Sequence, residues 1–199
     1  MRPHYTVAGV EDGSFEAFRR GPADAPQHTL LCLTEMRGPV IQDVLLRRIL
    51  VDGLDATGAL LDMLWGLGVD AVILGGVTFA GFNVVDVERV NRESGAPVIV
   101  FSAERPDSEA TLAALRKHFG DWRERWSRYE ALGQIHPLRM GGYPVVYYEC
   151  VGCSTAFAED VLVDQALYTR TPEAVRVAGM VAKGLSLVFR GPAVSAGGS

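Results

Sequence analysis

From Tyr5 to Val51 the apolar residues fall into short, β-prone runs with no helical stretch between them, and from Ala56 onward helix-spaced and strand-like segments alternate. That order restricts the fold more than any single motif. The early runs are Tyr5–Val10, Thr29–Thr34 and Val40–Val51, the last two joined by a Gly38-Pro39 turn short enough to favour an antiparallel hairpin. Arg20–Gln27 (RGPADAPQ) reads as a loop, and the glycines and prolines of residues 11–28 argue against a crossover helix there.

Beyond the third run, Ala56–Leu67 has helical spacing, with Asp55 as an N-cap candidate and Gly68 as a stop. Val69–Leu74 reads as a buried strand, Val84–Ser94 as a helix capped by Asn83, and Pro97–Ser102 as a strand. Ser108–Phe119, Trp122–Leu132, Ser154–Leu167 and Pro172–Phe189 read as helices, with one more strand at Tyr143–Glu149. An antiparallel meander followed by parallel crossovers gives an α/β fold with a mixed five-stranded sheet and helices on both faces. This is a ribonuclease H-like arrangement. A doubly wound parallel sheet would want a helix between the early strands.

Residues 1–189 are expected to form a single domain and 190–199 (RGPAVSAGGS) a flexible tail. A composition of 48% hydrophobic and 22% charged residues suffices for a real core. No apolar stretch approaches the roughly 18 residues of a membrane span, and the N-terminus lacks a signal-peptide pattern, so a cytoplasmic location is expected. Three cysteines do not make a secreted disulfide framework. A net charge of −5 gives no general attraction for nucleic acid; an enzyme acting on it would need a local basic patch or a bound cation.

Acidic residues collect where strands end: Glu11 and Asp12 after the first, Asp52 and Asp55 after the third, Asp86 after the fourth. Clustered carboxylates suit Mg²⁺ or Mn²⁺, hard ions that prefer oxygen. The plainer use of the same residues is local, since Asp12-Gly13 and Asp52-Gly53 are turn pairs and Asp55 can cap a helix. Spacing alone favours turns and caps.

The blocks VAGVEDGSF (7–15), VDGLDATGALLDML (51–64), ILGGVTFAGFNVVDV (73–87), PVIVFS (97–102) and TPEAVRVAGMVA (171–182) resemble those of domain-of-unknown-function family 99, labelled endonuclease dU. TFAGFNVVD (78–86) is the most specific block. The family is similar to endonuclease V, which cuts nucleic acid beside deaminated bases with Mg²⁺ held by strand-end carboxylates. The resemblance implies a metal-dependent endonuclease acting on DNA, including single-stranded DNA, with a deoxyuridine-type base. By it, Glu11 and Asp55 (or Asp52) would hold the ion, Asp12 and Asp52 would assist catalysis, and Gly75, Gly76, Thr78, Phe79, Asn83 and Asp86 would line the substrate site. Two positions depart from the family pattern. Gly75 stands where an aspartate is usual, which would impair metal binding, and Glu11 replaces a shorter acid. A non-catalytic nucleic-acid or protein-binding member of the same fold is the alternative, and a homodimer is left open.

Cys150-Val151-Gly152-Cys153 also has the spacing of a thiol redox motif between a strand and a helix, a second alternative. The four histidines show no zinc-ligand spacing. Arg116, Lys117, Arg123, Arg125 and Arg128, with Trp122 and Trp126 among them, form the most basic stretch. The interleaved acids make a solvated amphipathic helix its ordinary reading, with both tryptophans packed inward.

Overall fold

The computed structural model describes residues 4–16 and 26–189, with side chains as far as Ser186. Most of the expected Arg20–Gln27 loop and all of the 190–199 tail lie outside the described residues.

Strands β1 (Thr6–Asp12), β2 (His28–Arg37) and β3 (Val40–Leu50) form the expected antiparallel meander. After α1 (Ala56–Leu64), β4 (Ala71–Leu74) returns parallel to β1 on the side away from β2. A small hairpin, β5 (Thr78–Phe79) and β6 (Asn83–Val84), leads into α2 (Val87–Ser94). Strand β7 (Val98–Ser102) then lies parallel to β4. Helices α3 (Ser108–His118) and α4 (Trp122–Glu130), strands β8 (His136–Leu138) and β9 (Val146–Val151), and helices α5 (Thr155–Gln165) and α6 (Glu173–Phe189) complete the chain.

The sheet has seven strands in the order β3-β2-β1-β4-β7-β9-β8, not five. The sixth and seventh strands pair antiparallel beyond β7: β9 is the expected Tyr143–Glu149 strand, shifted to Val146–Val151, and β8 is an addition. Strand β8 has three residues with Pro137 in the middle, and so short a strand carries no readable alternation. Two helix starts and stops also differ. Helix α1 ends at Leu64, three residues before the expected end at Leu67, and α2 begins at Val87 because Asn83 and Val84 are spent on β6. Its cap is Asp86, whose carboxylate accepts the Arg89 N–H at 2.9 Å.

Strand alternation divides the core. Ala8, Val10, Val72, Leu74, Val98 and Val100 face α1 and α2 through Leu60, Met63, Val87 and Val90. Val7, Ile73, Ile99 and Phe101 face α5 and α6 through Val161, Leu162, Ala174 and Val175. With both faces covered, every residue of β4 is buried, as a central parallel strand requires. Gly9 allows the start of α6 to lie directly on β1, since a β-carbon there would stand 2.2 Å from the Ala174 carbonyl carbon. No helix among the described residues is long and apolar enough to cross a membrane.

Candidate functional site

β1 and its parallel neighbour β4 end side by side, and the chain emerging from these ends builds the site. Because strand side chains alternate, the last two residues of β1 go to opposite faces. Asp12 follows Ala8 and Val10 toward α1 and α2, and Glu11 follows Val7 and Gly9 toward α6. The Asp12 N–H donates to Glu11 Oε1 at 3.1 Å, tying the two acids together.

Glu11 occupies a niche made by two glycines. A β-carbon at residue 75 would stand 2.2 Å from Glu11 Oε2, and one at residue 179 would stand 3.0 Å from Glu11 Cγ and 3.9 Å from Lys183 Nζ. The carboxylate of Glu11 therefore fills the space that a side chain at residue 75 would take. Lys183, one helical turn beyond Gly179 on α6, brings its ammonium group to the same place.

Asp12 holds the loop that follows β4. Its Oδ2 accepts the Ala80 N–H in a short hydrogen bond. Ala80 has φ 47°, a left-handed conformation that only glycine adopts freely, so this bond supports a strained turn. Asp52 grips the same turn from just beyond β3: its N–H donates to Ala80 O at 2.8 Å, and its Oδ1 accepts the Phe82 N–H at 2.9 Å. Asp52 itself has φ 58°, in keeping with the turn reading of Asp52-Gly53.

The other predicted site residues are placed as follows. Both oxygens of Asp55 accept the Leu50 N–H at 3.2 Å, and Oδ1 accepts Asn83 Nδ2 at 2.6 Å. Asp55 stands at the N-cap position of α1 without making the cap bond; Asn83 Oδ1 takes the Ala56 N–H at 3.0 Å instead. Phe79 is buried in the core beneath the loop, Asp86 caps α2, and Gly76 and Thr78 line a cleft described below. Thus Glu11, Asp12, Gly75 and the Ala80 turn come together, with Asp52 at the edge. Asp55 and Asn83 brace the neighbouring turn. No group of three or more His, Cys, Asp or Glu side chains among the described residues is arranged to hold a metal ion.

Burial drives the Glu11 carboxyl up to about 7, and the Asp12 charge adds to the rise, against the pull of the Asp12 N–H and Lys183. Asp12 is raised as well, first by burial, with the Ala80 N–H opposing. Because Glu11 gains proton affinity on folding, the folded state holds the extra proton between about pH 4.5 and 7. Its contribution to stability falls as pH rises through that window. Glu11→Gln should therefore leave the melting temperature at pH 4 unchanged. At pH 8 it should stabilise by about 1–2 kcal/mol, a figure discounted for partial exposure. Thermal melts at both pH values check this, and destabilisation at pH 8 would show that a cationic partner outweighs burial.

Three further residues of note carry no clear signal in the sequence. Lys183 follows Gly179 at i−4 in α6. Glu149 is a lone acid inside the β-prone run of β9. Arg125, in Trp122–Trp126, is 5% exposed and is no solvated charge: its Nη1 donates to Gly53 O at 2.8 Å and Phe82 O at 2.6 Å. Asp121 closes the pair with two further bonds, and Arg128 reaches Val84 O at 2.6 Å. The basic helix thus clamps the site's loops. Trp122 does not pack inward; it is covered by the Arg116 and Arg123 guanidinium groups at 4.8 and 4.5 Å. Cys150 and Cys153 are free, and burial raises the Cys153 thiol to about 11, away from the thiolate that redox chemistry needs.

The profile of the endonuclease dU family matches residues 3–186. A UPF0215 protein of Pyrococcus furiosus is 38% identical over 189 residues, covering 93% of this chain and 92% of its own. Another from Methanosarcina mazei is 32% identical over 194 residues, covering 94% and 93%. Among solved structures, a protein of unknown function from Archaeoglobus fulgidus superposes with a TM-score of 0.78 at 28% identity, over 94% of this chain and 99% of its own. Endonuclease V of Ciona intestinalis, in complex with a DNA 24mer containing an inosine followed by a ribo-adenosine, gives 0.60 at 12% identity over 95% and 88%. Human endonuclease V gives 0.54 at 15% identity over 94% and 87%, so this chain shares the fold of those enzymes. On the match along nearly its whole length, the chain belongs to the endonuclease dU family.

Proposed function

We propose that this chain is a metal-dependent endonuclease that cuts nucleic acid next to a deaminated base, with Glu11 and Asp12 at its centre. The observation that carries this reading is the pair of acids at the end of β1, with Glu11 beside Lys183 in a niche shaped by Gly75 and Gly179 and Asp12 on the Ala80 N–H. Ligand sites in open α/β sheets favour such carboxyl ends of parallel strands. The run β3-β2-β1-β4-β7 supports the ribonuclease H-like expectation for the core.

The residues fit Mg²⁺ or Mn²⁺ of a particular kind. Two adjacent carboxylates are both raised in proton affinity by burial, Glu11 also by the Asp12 charge, and a cation would relieve them. Mg²⁺ is commonly held by one or two carboxylates and otherwise by water and substrate phosphate, so a third protein acid is not required. Glu11 and Asp12 would hold the ion, which when bound would activate water and stabilise the leaving oxygen. Lys183 offsets phosphate charge at the acidic site. The Ala80 N–H fixes the Asp12 carboxylate, Asp52 holds the turn in its strained form, and Asp55 with Asn83 braces the next turn. This makes Asp52 and Asp55 positioning residues, and it moves the expected partner of Glu11 from Asp55 to Asp12.

The absence of a three-acid group among the described residues favours the second reading, a nucleic-acid-binding member without cleavage. Nicking of labelled single- and double-stranded DNA carrying one deoxyuridine or deoxyinosine separates the two. The proposal expects cutting with Mg²⁺ or Mn²⁺, none with chelator, and none on the unmodified sequence. Binding without cutting under any of these conditions would establish the second reading.

A further inference from the structure

Glu149 has no role in the carboxylate site, yet it is the acid that keeps a buried, unpaired oxygen among the described residues. It lies within β9 opposite Val100 and is 5% exposed, and its Oε2 has no hydrogen-bond partner among the described residues. A buried acceptor left unpaired is costly, and native structures rarely keep one without a use.

The residue lines an open cleft of about 380 Å³, between α3, α4 and the sheet, together with Gly76, Thr78, Ser102, Trp126 and Tyr129. The Trp126 and Tyr129 rings stack on each other at 5.6 Å with 22° between their planes, presenting flat apolar surface. Trp126 Nε1 is held by Glu130 Oε1 at 2.9 Å, and Asp107 at the cleft's edge is spent on the Ala110 N–H. Glu149 is the lining acid with an oxygen left unpaired.

The cleft shares a wall with the carboxylate site. Gly76 and Thr78 belong to the loop whose Gly75 abuts Glu11 and whose Ala80 is bonded by Asp12. A nucleic-acid strand whose phosphodiester lies at Glu11 and Asp12 has this cleft beside it. Flat aromatic walls suit a planar ring, the Ser102 hydroxyl suits a carbonyl oxygen, and a carboxylate suits a ring N–H, while the Thr78 hydroxyl is engaged by Tyr129. Deamination creates that pattern. Cytosine and adenine present a bare ring nitrogen beside an amine, and uracil and hypoxanthine present a ring N–H beside a carbonyl.

We propose that this cleft is a nucleobase pocket in which Glu149 accepts the ring N–H of an extruded lactam base, selecting uracil or hypoxanthine over the amino parent. The inference rests on the endonuclease reading for its biological substrate, and the pocket can be tested without cleavage. Deoxyuridine and deoxyinosine nucleosides, titrated with chelator present and followed by tryptophan quenching, should bind at least about tenfold more tightly than deoxycytidine and deoxyadenosine. Trp126→Phe assigns the signal. Glu149→Met, similar in length but without an acceptor, should abolish that preference. It should also hold or raise the melting temperature, because an unpaired buried carboxyl is removed.

A preference retained in Glu149→Met, or a wild-type protein that binds both members of each pair equally, overturns the proposal. So does a preference for the amino bases, which would mean that Glu149 reads an exocyclic amine. Selective nucleoside binding without any DNA cutting would keep the pocket and remove the endonuclease reading. Cutting with selectivity untouched by Glu149→Met would do the reverse.

Discussion

Gly75→Ala, a change of one methyl group with no charge, should lower metal-dependent cutting about a hundredfold, nearly as far as loss of Glu11 itself. The added carbon would stand 2.2 Å from Glu11 Oε2 and 2.9 Å from Val175 Cγ1. Neither neighbour is backbone, so the cheapest response is for the Glu11 side chain to leave its niche. Overpacking of this kind costs about 1–3 kcal/mol, which a domain of this size survives. A displacement of about 1 Å at a reacting group is enough for the loss of rate. Gly75→Asp should behave in the same way, despite bringing back the acid that the family resemblance leads one to expect. It adds charge to a space already holding a carboxylate.

Shortening residue 11 should reverse the effect. In Glu11→Asp/Gly75→Asp the niche is free, and two shorter acids on neighbouring strands replace one long acid. The pair should recover most of the activity that each single change loses, a coupling that independent sites would not show. Nicking rates for the four proteins of this cycle, with their melting temperatures, check it. Additive losses would mean that residues 11 and 75 do not share one space.

Arg125→Ala should have the largest effect on stability, about 2–4 kcal/mol, or roughly 5–12 °C in melting temperature for a domain of this size. It removes the donor that serves Gly53 O and Phe82 O from a buried position and leaves both carbonyls to find other partners. Arg125→Lys should recover little of this, because a single ammonium cannot also make the two-point contact with Asp121. Calorimetric melts of the three proteins decide. A loss below about 0.5 kcal/mol would show the clamp to be an ordinary surface contact.

The legible parts of the fold were those set by local pattern. The meander, the parallel return of β4 and β7, and the existence of every α-helix of the structure follow from apolar spacing and from the Gly38-Pro39 turn. The cap of α1 was not legible, because Asn83 supplies it from 27 residues away across a hairpin whose two-residue strands carry no period. Helix α2 was extended for the same reason. At the site, the strand-end position of Glu11 and Asp12 was visible. Their division between two sheet faces follows from alternation once Asp12 is known to lie within β1 and not beyond it. The compensation between Glu11 and Gly75 was hidden, since the sequence shows a missing acid at one strand end and no sign that a longer one from the next strand fills its place. Arg125 reads as a solvated charge because the carbonyls that it serves lie at long range, and Lys183 carries no signal of its own.

The most direct test of the central claim is single-turnover nicking of a deoxyuridine duplex in Mg²⁺ by the wild-type protein, Glu11→Gln and Asp12→Asn. The account predicts Mg²⁺-dependent cutting by the wild type and losses of at least about a hundredfold in both variants, with folding intact at pH 8. Cutting by either variant at the wild-type rate would contradict it and place the chemistry elsewhere in the molecule.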